Sequence, residues 1–387
     1  MKNIKKKSLA WIIMFALIIC GMGGASMYKL ARYFILDEVD YNEWSADLGS
    51  KVETTIATTF FEKFNFVNLN GAIRNLLGQK EMNGVVKLNN GYLLTTYGYV
   101  DDDTIQSRAD NVAVFNDYLR NRGTSLLFAM CPYTSSKYDP QLPTGIEDYG
   151  NDDADRLMEA IKEEGVDTLD FRDTMHEDGI DQYDMMYRTD HHWNTAAGLY
   201  AYGKLEDYIV EKTGCSIDSK VADSSNYTIT TYKNWHLGSR GQRTGSYFSG
   251  ADDFDLYIPK FDTLVQNDAG AVGSVPDIVY SMDALAQKDE TSRYTYDSVL
   301  GNSLGHYINL NAKNDVKVLI ITDSFGKAVN PYLMMQFAEI QYAYDTDVSG
   351  VTPDYIEAYD PDVVICMYYL GNAVENDSAF AFMGYEE

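Results

Sequence analysis

Apolar positions along this chain fall into three regimes. The first is an uncharged run of 21 residues from Ser8 to Tyr28, densest at Trp11-Ile-Ile-Met-Phe-Ala-Leu-Ile-Ile19 and preceded by Lys2, Lys5, Lys6 and Lys7. As a helix it spans roughly 30 Å, the depth of a bilayer's hydrocarbon core. The positive-inside rule then leaves residues 1–7 as a cytoplasmic tail, makes 8–28 a single-pass anchor and puts the remainder outside. A signal peptide cleaved after Gly24-Ala25-Ser26 competes, but the site is poor and the run is long. A lipoprotein reading of Cys20 is opposed by the bulky Ile19 before it. In the second regime, 29–82, the signals are weak and suggest a helical juxtamembrane stalk or cap.

From residue 83 to 387 a third pattern sets in. Asn83 to Leu94 reads as two short strands joined by an Asn-Gly turn. Helical spacing over Ala109–Arg122, Asp152–Glu164 and Asn194–Lys212 alternates with strand runs at Ser125–Met130 and Val166–Phe171. Two more strand runs, Val316–Thr322 and Asp362–Cys366, follow with a helix over Pro331–Ile340 between them. Such alternation predicts an α/β fold with a mostly parallel sheet and helices on both faces. From about 215 to 306 the pattern breaks into Thr, Tyr, Ser, Gly and Asp, as a β-rich insertion would.

Charge narrows the function. Against 31 basic residues stand 58 acidic ones, for a net of −27. The first 32 residues hold six basic groups and no acid, so the rest carries a net of −33. Such a surface repels nucleic acid. Beyond Cys20 there are three cysteines, which cannot all pair and lack metal-ligand spacing. Cys131 and Cys366 end apolar runs and read as buried thiols, with Cys215 the third.

Two segments carry candidate chemistry. In Val318-Leu-Ile-Ile-Thr-Asp-Ser-Phe-Gly326 a strand runs into Asp323-Ser324 and then a helical segment. A serine at such a turn sits at the C-terminal edge of the sheet with its hydroxyl exposed; an ordinary helix cap is the plainer alternative. In Tyr187-Arg-Thr-Asp-His-His-Trp-Asn194 two of the five histidines stand beside a carboxylate. A serine nucleophile needs an imidazole base, and the base needs a carboxylate to fix its tautomer. Helix capping by Asp190 or Asn194 and a metal site are the alternatives, the latter opposed by the rarity of adjacent histidines on one ion. Arg240 and Arg243, in Leu237-Gly-Ser-Arg-Gly-Gln-Arg243, could hold an acyl carbonyl or a glycan group, or pair with acids. His176, His236 and His306 lack a partner pattern and read as structural or surface residues.

Thr189-Asp-His-His-Trp193 resembles the motif that names the DHHW protein family, and its surroundings resemble the SGNH-like, flavodoxin-type domain of periplasmic alginate O-acetyltransferases. The resemblance runs from about Gly84 to the C-terminus, through Gly91-Tyr-Leu-Leu94, the Pro132–Lys137 loop, the Asp-His motif and the late Asp-Ser strand. It implies Asp190 as triad acid, His192 as general base and Ser324 as nucleophile; His191, at the variable position outside the triad, and Trp193 are substrate or oxyanion candidates. Ordinary SGNH hydrolases begin with Gly-Asp-Ser and end with Asp-x-x-His. Here the order is reversed and Thr322 replaces the glycine, as in a circularly permuted sheet. Gly371 and Asn372 are candidates for the oxyanion hole.

The resemblance implies O-acyl transfer, acetyl above all, to a cell-surface polysaccharide, with no metal or cofactor. It also implies a multi-pass membrane O-acyltransferase as acyl supplier. An esterase with the same residues, and a non-catalytic glycan-binding scaffold, are the alternatives.

Overall fold

The computed structural model describes residues 2–36, 62–286, 294–346 and 348–385; part of the expected stalk, 37–61, lies outside them. Helix α1 (Lys2–Leu36) contains the apolar stretch Trp11–Tyr28. Among the described residues it alone is long and apolar enough to cross a membrane. Helix α2 (Lys63–Leu76) precedes a small antiparallel sheet of β1 (Glu81–Met82), β2 (Val85–Lys87) and β3 (Leu93–Leu94). Two hairpin turns build that sheet. One was expected; the other is at Asn83-Gly84, whose φ of 52° and 68° suit a tight hairpin.

Helix α3 (Asp102–Asn121) starts where Asp101 accepts from the Thr104 N–H at 2.9 Å. It leads to β4 (Ser125–Cys131), α4 (Gly150–Glu163), β5 (Asp167–Asp170) and α5 (Phe171–Glu177). Helix α6 (Thr195–Thr213) is capped by Asn194 and closed by Gly214 in the left-handed region. Then come the hairpin β6 (Tyr227–His236) and β7 (Asp252–Pro259), with the short helices α7 (Ser239–Thr244) and α8 (Ser246–Ser249) in its loop. Strands β8 (Val265–Asn267), β9 (Val272–Gly273) and β10 (Tyr307–Asn309) follow. The chain ends with β11 (Lys317–Thr322), α9 (Asn330–Gln336), β12 (Glu339–Tyr344), α10 (Pro353–Tyr359), β13 (Val363–Tyr369) and α11 (Leu370–Glu375).

The main sheet has eight strands in the order β5-β4-β13-β11-β12-β10-β8-β9. The first five are parallel and the last three antiparallel. Strands β4, β11 and β13 are buried almost throughout, as parallel strands covered on both faces must be. Helices cover both faces, as the alternation predicts: α3 packs on α4 and α4 on α11, while α6 packs on α9 and on the turn after β11.

One expectation needs correction. The helix expected over Pro331–Ile340 stops at Gln336. Phe337 is extended (φ −95°, ψ 158°), and Ile340 belongs to β12, a strand the apolar pattern hides behind the preceding helix. Within the β-rich stretch, β8 and β9 join the main sheet through β10, which follows that stretch.

Candidate active site

Strand β11 delivers the first group. After Thr322 the Asp323 carboxylate accepts from the Phe325 N–H (2.7 Å), starting a 3-10 turn over Ser324–Ala328. Its other oxygen accepts from the Tyr369 N–H at the end of β13 (3.0 Å), which ties two strand ends together beneath the serine. A Cβ on Gly326 would lie 2.4 Å from Thr322 Cγ2, so the tight return after the serine requires glycine. Ser324 itself is half-buried.

The loop at 187–193 delivers the second. A bridge between Met186 and Trp193 and the Tyr187 N–H to His192 C=O bond (3.1 Å) close it. Asp252 of β7 accepts from the Arg188 and Thr189 N–H groups (3.0 and 2.9 Å). Fully buried Trp193 donates its indole N–H to Phe325 C=O at 3.0 Å, joining this loop to the serine turn.

The structure brings Asp190, His192 and Ser324 into one line. Asp190 Oδ2 lies 2.8 Å from His192 Nδ1, and His192 Nε2 lies 2.5 Å from Ser324 Oγ. An ionised carboxylate only accepts, so Nδ1 carries the proton and Nε2 is free to accept from the serine hydroxyl. The His192 ring stacks on Tyr296 (4.3 Å between centroids), whose hydroxyl donates to Ser324 C=O at 2.9 Å.

Further partners of Asp190 come from β6 and α7. Its Oδ1 accepts from the Ser239 N–H (3.0 Å), the Ser239 hydroxyl (2.9 Å) and the His191 N–H (2.9 Å). Its Oδ2 accepts from His236 Nε2 (3.2 Å) as well as from His192. Of the two readings expected for it, structural or surface, His236 is buried and bonded to Asp190; it stands 46 residues from Asp190 and no local pattern marks it. Ser239 escaped notice for the same reason.

The remaining candidates divide. His191 is partly exposed, with Nδ1 3.1 Å from Ser239 Oγ and its ring 3.9 Å from that of His192. Arg240 is buried: Nη1 donates to Leu93 C=O, Thr134 Oγ1 and Asp190 C=O, and Nη2 to the Tyr369 hydroxyl. Through Asp190 C=O it braces the histidine loop. Arg243 points away and donates to Asn83 C=O at 2.6 Å. Gly371 packs against Tyr97 and Tyr369, and Asn372 donates its amide to Asp323 Oδ2 at 3.0 Å and Asp345 Oδ2 at 3.4 Å. That amide is thus spent on carboxylates.

Burial alone would raise the Asp190 carboxyl, but the two imidazoles and their hydrogen bonds outweigh it and hold it well below the usual range. Burial and the neighbouring His191 push His192 down to about 4, against the opposing pull of Asp190. At neutral pH the pair is thus carboxylate and neutral imidazole. Beneath them burial raises both Asp323 and Asp345, Asp345 the more because backbone N–H groups support the Asp323 charge. Asp190, His191 and His192 are also the one group, among the described residues, whose ligand atoms could share a metal ion, all lying within 4.8 Å. Five hydrogen bonds already engage the Asp190 oxygens, and the serine hydroxyl engages His192 Nε2, so these atoms are committed elsewhere.

The parallel sheet thus carries a serine and an Asp-His pair at its C-terminal edge, the arrangement that the SGNH-like resemblance implies. Residues 88–228 match the family model described as SGNH hydrolase-like domain, acetyltransferase AlgX, and the resemblance read from the sequence is thereby borne out. Among solved structures the chain is similar to Bacillus cereus PatB1 with a sulfonyl adduct, at 19% identity and a TM-score of 0.61, over 79% of this chain and 99% of that one. It is also similar to a DHHW family protein from Eubacterium siraeum, at 18% identity and a TM-score of 0.54, over 78% and 95% of the two chains. No curated protein matches the chain.

Proposed function

We propose that this chain is a serine-dependent acyltransferase that moves acyl groups, acetyl in the first place, onto hydroxyls of an extracytoplasmic cell-surface polysaccharide. The observation that carries this is the hydrogen-bonded line Asp190–His192–Ser324, with Ser324 only half-buried. Ser324 Oγ attacks the carbonyl carbon of an acyl ester while its proton passes to His192 Nε2, and Asp190 stabilises the imidazolium. The tetrahedral intermediate expels the donor's alkoxide, which takes that proton and leaves acyl-Ser324. A sugar hydroxyl then gives its proton to His192, attacks the acyl carbon and releases Ser324, which regains the proton. The Ser324 N–H, at the start of its turn and without a partner inside it, is a donor for the oxyanion.

Further support comes from the acetyltransferase named in the family match and from the membrane-length helix α1. The lysines before that helix favour a cytoplasmic N-terminus and a catalytic domain, 83–387, outside. A multi-pass membrane acyltransferase supplying acyl groups from within completes the scheme. Water as acceptor would make the same residues an esterase, the outcome depending on how well water is excluded. With a chromogenic acetyl ester, Ser324→Ala should lower turnover by about three orders of magnitude or more without unfolding the protein. Undiminished turnover in that variant would overturn the proposal.

A further inference from the structure

Helix α2 is apolar on the side turned away from the described residues it packs against. Its inner face holds Val67, Asn68, Gly71 and Asn75, set against α7 and α8: a Cβ on Gly71 would meet Thr244 C=O at 2.3 Å, Asn68 Oδ1 accepts from the Ser246 N–H at 2.7 Å, and Asn75 donates to Tyr247 C=O at 3.3 Å. The opposite arc carries Phe66, Leu69 and Ile73, with Leu76 and Leu77 at its end, all exposed, Leu76 to 87%. At 100° per residue these five positions fall within about 100° of one another, a single stripe opposite the packed face. From Glu62 to Glu81 the chain holds Lys63, Arg74 and Lys80 against Glu62 and Glu81, a slight positive excess in a protein whose net charge is −27.

We infer that this stripe lies in the headgroup region of the membrane that α1 crosses, so that α2 holds the enzyme against the bilayer surface. An apolar arc bordered by basic and amide side chains is the composition of a helix lying in a membrane interface. Its local positive charge suits anionic headgroups, which the rest of this acidic surface would repel. The chain between Leu36 and Lys63 is only 26 residues, so a bilayer surface is always within reach of α2. Because α2 packs on α7, the helix that carries Ser239 and Arg240, membrane contact also fixes how the serine site faces the bilayer. The inference goes beyond acyl transfer and stands without it.

The test uses the full chain in vesicles of phosphatidylethanolamine and phosphatidylglycerol, with p-benzoylphenylalanine replacing Ile73 or, as control, the exposed Asp110. Irradiation should give phospholipid adducts from position 73, at least about tenfold more than from position 110. Adding Leu69→Glu and Leu76→Glu should reduce those adducts severalfold, with near-UV circular dichroism unchanged because both side chains are exposed. Adducts from position 73 to a second copy, to residues 37–61 of the same chain or to another protein would overturn the inference. So would lipid adducts no more frequent than at position 110.

Discussion

The Asp190 carboxylate accepts hydrogen bonds from four residues, and only two of them, His191 and His192, are near it in the chain. That divides what could be read in advance from what could not. A motif such as Asp-His-His-Trp is legible because acid and base are carried on one loop. His236 and Ser239 arrive from a hairpin whose position depends on long-range packing, and nothing in their own neighbourhood announces it. Adjacent histidines should separate functionally. His192→Ala should remove most acyl turnover, whereas His191→Ala should cost much less and shift the acid limb of kcat/KM to higher pH, since His191 is one of the influences holding His192 down. In the unaltered enzyme that limb should fall near pH 4, the base being lost as pH drops through that value; a limb at the ordinary histidine value would contradict the buried, neutral His192. Asp345 offers a stability test. Its carboxyl is raised, so folding retains a proton that the unfolded chain releases, and its contribution is lost as pH rises from the ordinary carboxylate range towards the folded value. Asp345→Asn should therefore flatten the decline of Tm between neutral and alkaline pH, and an unchanged decline would place the proton elsewhere.

Among the elements, the long apolar runs were the easiest to read. Strands β4, β11 and β13 are buried on both faces and need no alternation, so their runs of Leu, Val and Ile stand out. Strand β12 was lost because only Phe337 and Ala338 separate it from α9, and its Gln341 and Tyr342 are only partly buried while Tyr344 is exposed. Strands β8, β9 and β10 have two or three residues each, too short for a period to show. The contact between β6–α7 and the histidine loop is similarly invisible in the sequence yet exacting in space. A Cβ at Gly238 would lie 2.2 Å from Asp190 Cβ and 2.6 Å from its Cα. Gly238→Ala should cost about 1–3 kcal/mol of stability, and should depress acyl turnover out of proportion by displacing Asp190. Thermal melts and kinetics on the same preparation check both; normal turnover would mean that the loop moves without consequence.

For the molecule as a whole, the fold is an α/β sheet with a membrane-length helix before it, and the site lies where strand ends meet. Chelation should leave turnover unchanged, because hydrogen bonds already occupy the Asp190 oxygens and His192 Nε2. Loss with EDTA, restored by one divalent ion, would turn Asp190, His191 and His192 into a metal site. The most direct measurement is mass spectrometry of the protein quenched during turnover of an acetyl ester. It should find one acetyl group on the peptide containing Ser324, absent in Ser324→Ala and discharged when a polysaccharide acceptor is added. Turnover without an acetylated Ser324 at any quench time, or an acetyl group discharged from some other residue, would contradict the account.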